Sequence, residues 1–130
     1  MNSKLNPGLE PLRKRRDFVA MRAGRRQHSS SFVLQMLERS DNYAAAAKTR
    51  VGYTVTKKIG NAVVRNRIKR RMRAVVHQVM PLYARRAHDY VLIGKRAALN
   101  TNFETLVAEL GSSLNRVHAN SNKSGTKNGK

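Results

Sequence analysis

The chain has 130 residues, no cysteine and a formal net charge of +20, with hydrophobic residues at 40%. The length fits one domain with one core, and the lack of cysteine excludes disulfides and thiolate metal sites. No stretch approaches the roughly 18 apolar residues of a membrane span, the first dozen residues lack a signal-peptide core, and so large a charge calls for a polyanionic partner to relieve self-repulsion. The expectation is a soluble, cytoplasmic protein.

Residues 1–11, with Pro7, Gly8 and Pro11, are expected to form a flexible basic arm. Leu12 to Ala23 reads as a helix with Phe18, Val19 and Met21 as its apolar positions, stopped by Gly24. Ser31 to Leu37 and Arg50 to Thr56 read as strands, the second with Val51, Tyr53 and Val55 on one face. Arg39 to Lys48 reads as a loop. Asn61 is a fair N-cap for a helix from Ala62 to Met80, with Pro81 closing it. Tyr90 to Gly94 reads as a short buried strand. Thr101 and Glu104 have capping-box spacing before a last helix that carries Phe103, Leu106, Val107, Leu110 and Leu114 on one side. The polar stretch 119–130 is expected to be a disordered tail. Residues 12–118 then form a single α+β domain (an α/β sandwich), a small mixed sheet packed with three helices.

The helix after Asn61 carries the strongest signal. At about 100° per residue, Val64, Ile68, Met72, Val75 and Val79 share one face. Asn66, Lys69, Arg70, Arg73 and His77 share the opposite one, and Arg65, Arg67 and Arg71 flank the apolar stripe. Six cations lie between Arg65 and Arg73, and no acidic residue lies between Asn42 and His88. Like charges at i,i+4 cost a few tenths of a kcal/mol each. A solvated surface helix mixes its signs, whereas this one does not. A membrane-surface helix would keep its apolar stripe free for lipid, but the core needs this stripe. Arginine dominates the run, and a guanidinium forks onto phosphate oxygens and stacks on bases. Among the polyanions open to so basic a chain (nucleic acid, an anionic membrane surface or an acidic protein), this helix favours nucleic acid, RNA first. Asn66 reads equally as a base-edge or ribose contact and as an ordinary exposed amide.

The ungapped run from Arg50 to Arg73, RVGYTVTKKIGNAVVRNRIKRRMR, closely resembles the signature of the bacterial ribonuclease P protein component. Looser likeness extends to Arg13–Phe18, Phe32–Leu34 and Tyr90–Ile93, so that the resemblance spans most of residues 12–115. It implies an α/β sandwich with a left-handed βαβ crossover, contrary to the general right-handed rule. It also implies a subunit of the endonuclease that removes the 5′ leader of precursor tRNA. In that family the catalytic RNA subunit does the chemistry with Mg²⁺ bound mainly by the RNA. The protein supplies no catalytic side chain and no metal ligand, and forms a 1:1 complex with the RNA as a monomer.

Carried over by position, Arg65, Asn66, Arg67, Lys69, Arg70 and Arg73 are the implied contacts to ribonuclease P RNA. Phe18, Tyr53, Lys57 and Lys58 are implied to border the cleft for the single-stranded leader. Many relatives place further aromatics where Arg22 and Gln35 stand here, so Arg22 is expected to replace stacking by a guanidinium or phosphate contact.

Other signals are weaker. His28, His77, His88 and His118 lack metal-ligand spacing. Asp17, Asp41 and Asp89 are scattered rather than clustered as two-metal nuclease chemistry requires. Asp17 reads as a helix-dipole partner. Lys4, Arg13 to Arg16, Arg25 and Arg26 make a second basic region, open between a solvated arm and a phosphate contact. Three rival classes stand beside this: a ribosomal RNA-binding protein, against which the run from Arg50 to Arg73 argues, a self-sufficient nuclease, against which the lack of a carboxylate cluster argues, and a DNA-binding protein that lays this helix in a major groove.

Overall fold

The computed structural model describes residues 9–39 and 48–122. Five strands form one mixed sheet: β1 (Leu9–Pro11), β2 (Arg25–His28), β3 (Phe32–Glu38), β4 (Thr49–Thr54) and β5 (His88–Gly94). Their order across the sheet is β1-β4-β5-β3-β2. β1, β4 and β5 run parallel, whereas β3 is antiparallel to both β5 and β2. The helices are α1 (Arg15–Ala20), α2 (Ala62–Tyr83) and α3 (Phe103–Asn122). Parallel β4 and β5 are joined through α2, which makes a βαβ crossover unit.

The alternation along the strands creates two unequal faces. Phe32, Leu34 and Met36 of β3, Val51 of β4 and Tyr90 and Leu92 of β5 point to the main core. There they meet Ile68, Met72, Val75, Val76, Val79 and Met80 of α2 and Leu106, Leu110, Leu114 and Val117 of α3. The apolar stripe of α2 is thus buried as its spacing predicts, with Val64 partly buried at its start. The other face carries a smaller cluster, Leu12, Met21 and Val91, with Phe18, Leu37 and Ile93 packed on it. That cluster seats α1, none of whose own six residues is fully buried.

Several elements differ from the sequence reading. Leu9–Pro11 is not part of a loose arm. It pairs with Thr49–Val51, and the Leu12 amide continues the ladder to the Val51 carbonyl at 2.9 Å. Pro11 is tolerated because β1 is an edge strand. β2 escapes a hydrophobic-pattern search because Arg25-Arg26-Gln27-His28 holds no apolar residue. Its charges suit an edge that must not recruit other strands. The expected first helix is split into α1 and a 3₁₀ turn at Met21–Ala23. Pro81 lies inside the last turn of α2 rather than ending it. The helix runs on two residues, and the Ala84 amide closes it onto the Met80 carbonyl at 2.8 Å. The cap of α3 is Asn102, whose Oδ1 accepts from the Thr105 amide at 3.1 Å. Thr101 is engaged elsewhere, donating to the Ala97 carbonyl at 2.7 Å. Phe103, expected in the core, is exposed. α3 continues through residues 119–122. The rest of the expected tail, residues 1–8 of the arm and most of the expected loop 39–48 lie outside the described residues.

One buried polar pair ties α3 to the sheet. The Tyr90 hydroxyl accepts from the Arg85 amide at 3.0 Å and lies 2.8 Å from His118 Nε2. A neutral His118 ring with Nε2 unprotonated can accept the hydroxyl hydrogen. Burial, aided by the charges of Arg85 and His88, pulls the His118 pKa from 6.5 down to about 4. Between those values the unfolded chain binds the proton and the folded chain does not, so stability falls as pH falls through this window. His118→Gln is expected to flatten the pH dependence of Tm between pH 6.5 and 4, by about 1–2 kcal/mol in stability. Parallel curves for variant and parent would refute this assignment.

Candidate nucleic-acid interface

Asn61 starts α2 by accepting the Val64 amide on its Oδ1 at 3.0 Å. The helix then carries its cations around the face away from the core. Asn66, Arg67, Arg70 and Arg73 are exposed, and Arg65 and Lys69 are half-buried along the sides. Arg71 differs from the rest. Its guanidinium turns inward and donates to the carbonyls of Leu99, at 3.3 Å, and Thr101.

Asp89, Asp17, Glu10 and Glu109 are engaged elsewhere. Asp89, nearly fully buried on β5, takes Arg50 through both oxygens at 2.8 and 2.7 Å and Arg39 at 3.0 Å. Asp17 meets Arg50 at 3.3 Å, which ties α1 to β4, and Glu10 meets Lys48 at 3.4 Å. Glu109 accepts from the Ser31 amide and hydroxyl at 3.0 and 3.1 Å. Among the described residues no carboxylate pairs with a cation of α2. The helix therefore offers its positive charge outward, uncompensated.

Beside α2 lies a cleft of about 320 Å³. It is lined by β1 and Leu12, by Phe18 of α1, by Gly52 and Tyr53 of β4, and by Lys69, Arg73 and His77 of α2. The Phe18 ring lies flush on Gly52. A Cβ there would come within 2.6 Å of it, so only glycine permits the contact. The Arg73 guanidinium sits 5.1 Å from the centre of the Tyr53 ring, a cation–π pair. Burial pushes the Tyr53 hydroxyl up to about 12, against the opposing pull of Arg73, so it stays protonated and able to donate.

The structure brings together some of the residues implied by the resemblance and separates others. Phe18 and Tyr53 share the cleft. Lys69 and Arg73, implied as contacts to the RNA subunit, line the same cleft, so the basic helix and the cleft are one continuous surface. Lys57 and Lys58 are exposed on the 3₁₀ turn between β4 and α2, outside the cleft lining. Arg22 is exposed on the turn after α1. Gln35 is buried on β3, on the α1 side of the sheet and in register with Arg26 and Val91. Gly52, Leu12 and His77 were missed as cleft residues. For Gly52 a signal existed, since a glycine inside a β-branched strand often marks close approach. Asp17 and Asp89 are taken by arginines, Glu10 by Lys48 and Glu109 by Ser31, and no three His, Asp or Glu side chains converge among the described residues. Nor is any described helix long and apolar enough to cross a membrane.

Comparison with known proteins is consistent with this surface. The family model described as Ribonuclease P matches residues 7–118. The chain is 41% identical over 112 residues to the ribonuclease P protein component of Paramagnetospirillum magneticum, covering 85% of this chain and 84% of the relative. It is 41% identical to that of Ruegeria pomeroyi, covering 86% and 89%. Among solved structures, the RNase P protein from Thermotoga maritima superposes with a TM-score of 0.67 at 26% identity, covering 83% of this chain and 97% of the other. The Staphylococcus aureus RNase P protein superposes at 0.62 and 25% identity, covering 85% and 94%.

Proposed function

Because the chain belongs to the ribonuclease P protein family, we propose that it is the protein subunit of the ribonucleoprotein that matures tRNA 5′ ends. Its partners are ribonuclease P RNA and precursor tRNA, in a cytoplasmic complex with one copy of each subunit. The observation that carries this reading is the α2 surface, whose cations meet no carboxylate among the described residues and adjoin a cleft lined by Phe18 and Tyr53.

Arg65, Asn66, Arg67 and Arg70 dock on the RNA subunit, with the arginines neutralising phosphates and Asn66 bonding a base edge or ribose hydroxyl. Lys69 and Arg73 serve both partners, because they also face the cleft. There Phe18 gives one base of the leader a stacking surface. Arg73, held by the Tyr53 ring, meets the adjoining phosphate, while Lys57 and Lys58 receive the strand beyond the cleft. Arg22 and Gln35 lie farther along the α1 side of the sheet, where Arg22 extends the path with a phosphate contact. The chain itself supplies no group that attacks or leaves. The RNA subunit supplies the Mg²⁺-dependent cleavage, and the protein's part is to hold two polyanions together by lowering their repulsion.

Reconstitution tests this. Added to a bacterial ribonuclease P RNA and a precursor tRNA at low Mg²⁺, the protein should stimulate release of the 5′ leader, and protein alone should release none. Failure to stimulate would reject the assignment.

A further inference from the structure

Two arginines cross in opposite directions between the same two segments. Arg71 of α2 reaches the carbonyls of Leu99 and Thr101. Arg96, from the 3₁₀ turn Arg96–Leu99, reaches back to the carbonyl of Ile59. Ile59 closes the turn that carries Lys57 and Lys58 and lies just before the Asn61 cap. The turn holding Arg96 is itself fixed. Ala98 is fully buried, the Lys95 amide bonds the Ser31 carbonyl at 2.9 Å, and Lys95 Nζ bonds the Ser29 carbonyl at 2.6 Å. A path of hydrogen bonds thus runs from the start of β3 to the turn before α2. The acceptors are neutral carbonyls, so all three bonds are charge-assisted without consuming a carboxylate or cancelling any positive charge. Lys57 and Lys58 adjoin the cationic end of α2, and repulsion would drive their turn away without a restraint.

We propose that Arg71 and Arg96 are positioning residues, a reciprocal clamp that holds the Lys57–Ile59 turn in register with the outward cations of α2, and that neither arginine is itself an RNA contact. This rests on the reading of α2 as the RNA dock. It sorts the arginines of one strongly basic surface into those that meet RNA and those that shape it, a distinction charge alone does not make.

The test uses the full chain and four variants: Arg96→Gln, Arg96→Lys, Arg71→Gln and, as a direct-contact comparator, Arg70→Gln. Amide hydrogen exchange in the free protein is read at Ile59 and Gly60, whose amides bond the Thr56 and Lys57 carbonyls. Affinity for a bacterial ribonuclease P RNA is read across a salt series. Arg96→Gln should speed exchange at both amides by about tenfold and weaken RNA binding by about threefold to tenfold. It should leave the slope of log affinity against log salt unchanged. Arg70→Gln should lower that slope by about 0.7–0.9 and leave exchange at parental rates. Arg96→Lys, which keeps one cationic donor, should recover part of both losses.

A slope lowered in Arg96→Gln as in Arg70→Gln would make Arg96 an RNA contact and overturn the proposal. So would unchanged exchange at Ile59 and Gly60. Should Arg71→Gln fail to fold, the Arg96 variants, altered on an exposed turn, decide alone. If the parent protein does not bind the RNA, the functional reading fails, whereas the exchange data still judge the clamp.

Discussion

Replacing Arg67, Lys69 and Arg70 together by glutamine is expected to weaken binding to ribonuclease P RNA by about 100-fold at 0.15 M salt while raising Tm. The first half follows from counterion release. Each phosphate neutralised contributes about 0.7–0.9 to the salt slope, so one lost contact costs about fivefold at that ionic strength and three cost about 100-fold. The slope itself should fall by about 2–3. The second half follows from the helix in isolation. Arg65 with Lys69, Lys69 with Arg73, and Arg67 with Arg71 are like-charged i,i+4 pairs, and Arg67 with Arg70 and Arg70 with Arg73 are i,i+3 pairs. Each costs about 0.2–0.5 kcal/mol, and glutamine keeps a good helix propensity. Relief of about 1 kcal/mol should raise Tm by about 2–5 °C. Opposite signs in the two measurements separate a functional cation from a structural one. RNA affinity within twofold of the parent would mean that α2 is not the dock.

The elements legible in the sequence were those whose pattern and packing agree. α2 has a stripe at helical spacing, a side-chain cap and a proline near its end; Ile68, Met72, Val75 and Val79 are buried as the spacing selects, and Val76 and Met80 join them. β4 and β5 are apolar because they lie between two helical layers. What escaped was set by long-range pairing. β1 and β2 have no apolar alternation of their own and exist because β4 and β3 offer edges to them. Asn102 and Thr101 are both competent caps. Only the engagement of the Thr101 hydroxyl with Ala97 and Ser31 decides between them.

At the site, the outward side of α2 follows from periodicity, but its adjacency to the cleft beside β4 does not. Lys69 and Arg73 share a face with Arg70 in the sequence reading. Only the packing of β4 against α2 shows that the same two side chains also line the cleft. Arg71 was indistinguishable from its neighbours by charge. Its carbonyl partners come from a segment about 30 residues away, which no helical wheel contains.

The contact of Phe18 on Gly52 leads to the last expectation. Gly52→Ala should destabilise the protein by about 1–3 kcal/mol, the range for overpacking a filled site. The new methyl would stand 2.6 and 2.8 Å from two Phe18 ring atoms and 3.2 Å from Leu12 Cβ, so the ring must leave its seat. The same methyl placed in a Phe18→Ala background would enter vacated space and should cost less than about 0.5 kcal/mol. That non-additivity, measured by urea denaturation of the four proteins, isolates the contact from any general intolerance of β4 to side chains. On the proposed function the displacement also has a selective consequence. Stacking contributes about 1–3 kcal/mol per base, so precursor tRNA with a leader should lose about fivefold to 100-fold in affinity for the reconstituted complex. Mature tRNA and the RNA subunit should bind as before, because the outward cations of α2 do not depend on the Phe18 ring. Equal losses for precursor and mature tRNA would place the leader elsewhere and leave Phe18 as packing for α1 alone.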